Sequence, residues 1–347
     1  MTSILLDRVT VAFSGVVVVR DVTLSIEDAE LFVVIGPSGS GKTTLLRAVA
    51  GLDTVTGGEV LFDGEVVTKT PPAKRDVAMV FQGNALIPSL SVRKNVSFPL
   101  EARQIKRAEV DRRVLAETRA LAIERFLERM PNELAVGHQQ LVQAARALVR
   151  RPSVFLLDEP LASMDYANRR MMRSEILLLQ RGYGVTTLYA TNDQEEAMAV
   201  ADRIAVLEGG EIRQVGSPGE IYNEPIDQFV AGFVGTPPMS FVPGEASGLE
   251  IRLKAGALPM RSGRVEGPVT VGVRPHEWEI VPTAGLRGVV TFVENHGDHA
   301  LATVNLSGDE VTMSVDAQGP SVGDAIEIWT RRFHVFGRSG SAIAHVR

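Results

Sequence analysis

The 347-residue chain contains no cysteine. Neither a disulfide framework nor a thiolate metal site is therefore open to it, in keeping with a reducing compartment. No stretch approaches the roughly 18–20 uninterrupted apolar residues needed to cross a bilayer. The start, Met1 to Arg20, opens on a strand-like run, without the basic segment, apolar block and cleavage site of a secretion signal. On this reading the chain neither spans a membrane nor leaves the cytoplasm by the usual route, and any membrane association comes through a partner. Positive charge is not in excess: the net charge is −6, which gives no reason to expect a polyanionic partner such as nucleic acid. Internal repeats and low-complexity tracts are absent as well.

What is present is the composition of a globular protein, 45% apolar and 22% charged. The length exceeds what one hydrophobic core ordinarily supports, so two domains are expected. Leu31–Ile35, Val77–Phe81, Val154–Leu157, Thr186–Ala190 and Ile204–Leu207 read as buried strands. Thr44–Ala50, Ala108–Met130 and Gln139–Val149 read as helices, the middle one placing Val110, Val114, Leu121 and Met130 on one face. The alternation implies an α/β domain with a mainly parallel sheet covered on both sides. Residues 83–150 hold no convincing strand and read as a helical insertion. Beyond Gly232 the texture changes: Pro237, Pro238 and Pro243 punctuate a connection. Val269–Val273, Val289–Val293, Ala300–Leu306, Glu310–Val315 and Ala325–Trp329 then follow as short strands, the pattern of a small β-barrel. The expected domains are residues 1–235 and 236–347.

Gly36-Pro-Ser38-Gly39-Ser40-Gly41-Lys42-Thr43, followed by Thr44, fits the phosphate-loop pattern. Its glycines let backbone N–H groups curl around phosphate oxygens where a Cβ would collide. Lys42 would reach the outer phosphates and Thr43 would hold Mg²⁺ through its hydroxyl. The loop lies between a strand and a helix start, so the helix dipole adds to the anion site. The other half of a nucleotide-hydrolysing site is an acid at the end of a buried strand. Val154-Phe-Leu-Leu-Asp158-Glu159 supplies it, with Asp158 placed for the Mg²⁺ shell and Glu159 for orienting or deprotonating the attacking water.

These residues, with several others, resemble the ATP-binding subunits of ABC transporters, and most of all those of the maltose and multi-sugar importers. The likeness covers essentially the whole chain. It implies a RecA-like P-loop NTPase domain with a helical subdomain at about 83–150, and a small all-β, OB-like regulatory and dimerisation domain at the carboxy end. It also implies Mg·ATP as cofactor, two transmembrane permease subunits and an extracytoplasmic solute-binding protein as partners, and a place at the cytoplasmic face of the membrane. Gln82, in Val80-Phe-Gln82, is similar to the glutamine that senses Mg²⁺ and the attacking water and links to the helical subdomain. Phe13 corresponds to an aromatic that stacks on adenine, although such a residue alone is more often core. Asp165 falls at the aspartate through which relatives communicate across their dimer. Gly216–Pro225, Phe233–Gly244 and Val271-Gly-Val-Arg-Pro275 are similar to segments of the sugar-importer branch.

Two departures from the family pattern stand out. Where relatives carry Leu-Ser-Gly-Gly-Gln at the helix that caps the partner's ATP, this chain has Leu134-Ala135-Val136-Gly137-His138. Ala135 has no hydroxyl for the helix start or the γ-phosphate, and a lost hydrogen bond to a charged group is worth about 1.5–3 kcal/mol. Gly137 and the helix N-terminus remain to attract anion. His138 reads either as a drifted position making a neutral contact or as a residue facing the other subunit's nucleotide. The second departure is Asn192, where relatives have a histidine that contacts the γ-phosphate. No histidine occurs between His138 and His276 to replace it. Asparagine donates a hydrogen bond but carries no positive charge. Losing a preorganised donor outright costs about 10²–10³ in rate, so slow hydrolysis is expected.

The carboxy-terminal region, 236–347, has ten Lys/Arg against twelve Asp/Glu, no basis for nucleic-acid binding by counterion release. Glu294-Asn-His296-Gly-Asp298-His299 has metal-ligand chemistry but also reads as a hairpin turn. The resulting reading is an ATPase subunit of an importer of a sugar or similar small solute. The alternatives are a weakly hydrolysing regulatory subunit of the same family or a soluble ABC-type ATPase of repair or translation. In an ABC dimer each ATP is held by one chain's phosphate loop and switch and by the other chain's signature. Pairing with a different, intact chain would leave this chain's Asn192 weakening one site and its altered signature the other. Both changes on one chain therefore favour a homodimer with two equivalent sites. Native mass spectrometry of the intact complex should find two copies of this chain; one copy beside a second ATPase subunit would refute the argument.

Overall fold

An apolar run with no polar relief can satisfy itself only as a strand covered on both faces, and this rule sets the centre of the amino-terminal half. The computed structural model describes residues 2–81, 83, 85–162, 164–260 and 264–346. It divides into two units, Met1–Pro218 and Gly219–Arg347. The strands of the first unit are β1 (Ile4–Phe13), β2 (Val16–Ile26), β3 (Leu31–Ile35), β4 (Gly57–Phe62), β5 (Glu65–Val66), β6 (Val77–Val80), β7 (Val154–Asp158), β8 (Thr186–Thr191), β9 (Arg203–Glu208) and β10 (Glu211–Gly216). Its α-helices are α1 (Lys42–Ala50), α2 (Val92–Glu101), α3 (Arg107–Ala120), α4 (Val136–Leu148), α5 (Tyr166–Tyr183) and α6 (Gln194–Val200).

The main sheet has the order β10-β9-β3-β8-β7-β6. All its neighbours are parallel except the β10–β9 edge pair, and every residue of β3, β7 and β8 is buried. A second, antiparallel sheet of order β2-β1-β4-β5 faces the same core. Helix α1 contributes Leu45, Leu46, Ala48, Val49 and Ala50 to that core. Burying a leucine fully is worth about 1.5–3 kcal/mol, so the helix behind the phosphate loop is firmly seated. Its carboxy end is held by Arg75, which is 3% exposed. The Arg75 guanidinium donates to Ala48 O at 2.9 Å, Val49 O at 2.8 Å, Thr68 O at 2.8 Å and Thr70 O at 2.9 Å. A cation belongs at this negative end of the helix dipole.

Residues 83–150 carry helices and no strand among the described residues, as expected. The expected single helix over 108–130 is shorter than the sequence pattern suggests. It stops at Ala120, Ala122 adopts φ 54°, and a 3₁₀ turn follows at Glu124–Phe126. The turn is fastened by Ile123 N–H donating to Thr118 O at 2.8 Å and by the Arg119–Glu124 ion pair at 2.9 Å.

The second unit begins earlier than the expected 235/236 boundary. It carries α7 (Pro218–Asn223) and α8 (Gln228–Phe233) before the strands β11 (Ser240–Gly248), β12 (Glu250–Leu253), β13 (Gly256–Pro259), β14 (Val265–Val273), β15 (Trp278–Val281), β16 (Leu286–Asn295), β17 (His299–Leu306), β18 (Asp309–Asp316), β19 (Ala325–Thr330), β20 (Phe333–Phe336) and β21 (Ala342–Val346). The strands form two antiparallel sheets, β13-β12-β11-β14-β20-β21 and β15-β19-β16-β17-β18, around one apolar core. The physical reason for the shifted boundary is Arg274, 1% exposed at the end of β14. It donates to Ala231 O at 3.1 Å, to Val234 O and to Tyr222 O at 2.9 Å, and lies over the Tyr222 ring. Segment 219–235 is thereby fastened to the all-β unit.

Replacing Arg75 by methionine keeps the aliphatic stem but leaves four carbonyls without their donor. Unsatisfied buried acceptors cost about 1–3 kcal/mol, so chemical denaturation should show a loss of at least about 3 kcal/mol in the first unit. An unchanged midpoint would show that α1 does not depend on this clamp.

Candidate functional site

The loop after β3 is shaped by what cannot fit there. A Cβ on Gly36 would come 2.1 Å from Leu207 O, and one on Gly41, at φ +105°, would come 2.9 Å from Val18 O. Glycine is therefore required at both positions, and the loop closes against β2 and β9. The Lys42 side chain folds back under it: Nζ donates to Gly36 O at 2.9 Å, to Pro37 O at 3.0 Å and to Asn192 Oδ1 at 2.5 Å. All three ammonium donors are thus in use. Burial pulls the Lys42 pKa down, while Glu159 and Asp158 push it back up.

Thr43 Oγ1 donates to Asp158 Oδ1 at 2.8 Å. Burial raises the Asp158 pKa, opposed by the Thr43 hydrogen bond and by the charges of Lys42 and Arg47. A buried carboxylate beside a hydroxyl, with a lysine near, is the oxygen-rich setting that a hard divalent cation stabilises. Glu159 holds a left-handed φ of +44°, and its N–H donates to Ala190 O at 2.9 Å. Asn192 Nδ2 donates to Glu159 Oε1 at 2.6 Å. Lysine can only donate and a carboxylate can only accept, so the amide orientation of Asn192 is fixed by its two partners. A cavity of about 350 Å³ opens here, lined by Val18, Ser38, Gly39, Gly41, Lys42, Thr43, Thr44, Glu159 and Asn192. The glycine cradle, the lysine and the hydroxyl–carboxylate pair fit a Mg·polyphosphate.

The structure thus brings together the phosphate-loop residues, Asp158, Glu159 and Asn192 named from the sequence. Ser40 is buried in the loop, and its N–H donates to Pro37 O at 3.2 Å. Phe13 is not among the cavity's lining residues; it stands 46% exposed at the end of β1. Ala135, Gly137 and His138 also lie outside the cavity's lining, at the start of α4. Ala135 makes no side-chain cap there, and the His138 ring packs against Phe126 at 4.5 Å between centroids. Asp165 caps α5, accepting from Asn168 N–H at 2.9 Å. Gln82 lies outside the described residues. The Glu294–His299 turn holds two separate short pairs, Glu294–His296 and Asp298–His299, and no metal-binding group of three is found among the described residues.

Sequence reasoning missed Val18, which only its place on β2 brings to the cavity. It also missed the network behind Asn192. Glu196, 2% exposed, accepts from Tyr189 OH at 2.8 Å and Thr191 Oγ1 at 2.5 Å. Asp193 caps α6 through Glu196 N–H at 3.1 Å and pairs with Arg169 at 2.8 Å. Acids just after a strand read equally as a solvated helix start, and nothing in their spacing marks Glu196 as buried.

A profile of the ABC transporter family matches residues 19–162, and one of the TOBE domain matches residues 271–336. The sn-glycerol-3-phosphate import ATP-binding protein UgpC of Ruegeria pomeroyi is 43% identical over 334 residues, 95% of each chain. The protein of the same description from Vibrio vulnificus is 40% identical over 329 residues, 92% of this chain and 88% of its own. Among solved structures, cbiO1 of Clostridium perfringens, part of the transporter complex cbiONQ, aligns with TM-score 0.60 and 25% identity over 64% of this chain and 90% of its own. The dimeric bacterial ABC transporter cassette MJ0796 aligns with TM-score 0.57 and 30% identity over 62% of this chain and 98% of its own.

Burial raises the Glu196 pKa, and the Asp193 charge adds to this, while the Thr191 and Tyr189 hydrogen bonds and Arg169 oppose it. A carboxyl whose folded pKa lies above its unfolded value of about 4.3 favours folding when protonated. That contribution is intact below the unfolded value and is lost as pH rises through the folded one. Glu196→Gln keeps an oxygen acceptor without the charge. Relative to wild type, its unfolding free energy should therefore rise as pH increases from about 4.3 upward, as read by urea titrations at several pH values. A difference that shrinks with rising pH would contradict the sign.

Proposed function

We propose that this chain, which belongs to the ABC transporter family as an ATP-binding subunit of the sugar-importer type, drives import of sn-glycerol-3-phosphate or a similar polyol phosphate. It is an ATPase that uses Mg·ATP and works with two permease subunits and a solute-binding protein. The cargo reading rests on relatives that serve sn-glycerol-3-phosphate import and match along nearly the whole length, since the cargo itself is handled by the partners. No helix among the described residues is long and apolar enough to cross a membrane. The subunit is read as peripheral, held at the cytoplasmic face by its permeases.

The observation that carries the mechanistic reading is the Asn192 bridge between Lys42 and Glu159. Binding of ATP gives the Lys42 ammonium phosphate oxygens in place of loop carbonyls, and Asp158 with Thr43 would hold Mg²⁺. Phosphoryl transfer is mostly positioning and charge neutralisation. Glu159, oriented by the Asn192 amide, holds the attacking water and accepts its proton. The amide orients the carboxylate but adds no positive charge to the γ-phosphate, so turnover is slow relative to a histidine switch. Ala135 and Val136 weaken the contact made across the dimer in the same direction.

In proteoliposomes containing the assembled transporter, ATP should drive uptake of sn-glycerol-3-phosphate, and Lys42→Ala should abolish nucleotide binding and uptake. Asn192→His combined with Ala135→Ser and Val136→Gly should raise kcat by about tenfold or more, part of the 10²–10³ that one preorganised donor supplies. Uptake of an unphosphorylated sugar instead would overturn the cargo reading, and a flat or lower kcat would overturn the weak-motor reading.

A further inference from the structure

Behind Glu159 lies a second cavity of about 330 Å³, lined by Glu159, Ala162, Arg169, Thr191, Asn192, Asp193 and Glu196. It shares Glu159 and Asn192 with the phosphate cavity. On one side is the loop that runs from the catalytic acids to α5; on the other is the turn from β8 to α6. Packing cannot couple two loops across a void, so any mechanical link between them must run through bonds that cross or skirt it. Arg169 makes such a link. Its Nη2 donates to Met164 O at 3.1 Å, and its Nη1 to Asp193 Oδ2 at 2.8 Å. The planar fork fixes the angle between those two donors, which a lysine cannot do.

The far end of the link is rigid. Asp193 N–H donates to Thr191 Oγ1 at 3.0 Å, and the same hydroxyl donates to buried Glu196 at 2.5 Å. Asp193 Oδ1 in turn accepts from Glu196 N–H at 3.1 Å. A displacement of Asp193 is therefore passed to the adjacent Asn192, whose amide has no slack between Lys42 and Glu159. The near end, Met164, neighbours Asp165, the cap of α5.

We infer that Arg169 is a positioning residue for hydrolysis: its guanidinium ties Met164, at the end of the loop before α5, to Asp193 and the adjacent Asn192, and through Asn192 to the Glu159 carboxylate. Whatever seats that loop, including a second copy of the chain, then sets the geometry of the base. The inference rests on the ATPase reading of the phosphate cavity. Arg169 does not line the phosphate cavity, so its loss acts on the chemical step and not on binding.

The test is steady-state hydrolysis by the assembled transporter. Arg169→Gln should lower kcat about five- to tenfold with KM for Mg·ATP unchanged within about twofold. Arg169→Lys should not restore it. Asp193→Asn retains a helix cap but loses the ion pair, and should match Arg169→Gln, with the double variant no worse than either single one. Unchanged kcat, a KM rise that accounts for the loss, full rescue by lysine, or additive losses in the double variant would each overturn the proposal. Wild-type transporter without hydrolysis above a Lys42→Ala control would instead count against the ATPase reading itself.

Discussion

Strand β8 runs parallel between β3 and β7, and the site depends on that order. Parallel neighbours send their carboxyl ends to one edge of the sheet, where ligands of open α/β folds collect. Three loops far apart in sequence therefore emerge together: the phosphate loop after Ile35, the acids at the end of β7, and the turn that opens on Asn192. The register places Thr191 opposite Ile35 and Ala190 opposite Asp158. Asn192 consequently stands between the lysine of one neighbour and the carboxylate of the other. With β7 beside β3, the switch would lie one strand further out, about 4.8 Å, and a side chain as short as asparagine could not hold both.

The same closeness sets the electrostatics. Lys42 and Asp158 are 4% and 3% exposed, and burial pushes each toward its neutral form. Each charge offsets the penalty of the other, as is required of ionised groups taken out of water. A protonated histidine at 192 would add a second cation beside the Lys42 ammonium and raise that penalty. An amide satisfies both neighbours at every pH. The amide therefore brings no positive charge to this corner of the cavity, where a histidine could set one against the negative charge of a phosphate.

Much of this was legible in the sequence because the phosphate loop and the strand-terminal acids encode backbone shape as well as chemistry. Gly36 and Gly41 fall in a spaced pattern that marks where a Cβ would collide, and the all-buried strands β3 and β7 announce themselves as apolar runs. The antiparallel sheet β2-β1-β4-β5 was not resolved, because β1 alternates irregularly, with register shifts against β2 between Leu6 and Ala12. The helix over 108–130 was overextended because Leu121 and Met130 continue the apolar face of α3 past a turn that only Ala122's left-handed backbone reveals. The division after Pro218 is not visible in the sequence because the residue that fastens segment 219–235, Arg274, lies some forty positions further on. Pairings at such separations leave no periodic trace.

The helix ends carry one more consequence. Ser91, Asp165, Asp193 and Asp227 cap α2, α5, α6 and α8 with side-chain oxygens, and α3 carries Glu109 in its first turn. Helices α1 and α4 have neither a side-chain cap nor an acid in the first turn. An uncompensated helix start keeps its N–H groups and its partial positive charge available to an anion. In α1 the anion proposed is a phosphate chain held in the Gly36–Lys42 cradle. In α4 nothing of the same unit's cavity reaches the start, and the exposed Val136 beside Ala135 offers no substitute cap. On the proposed reading, a sandwich of two copies, each presenting α4 to the other's nucleotide, would give both helix starts a phosphate to meet. On that reading, an alanine at 135 in place of serine removes one bond from the contact but not the field that draws the anion.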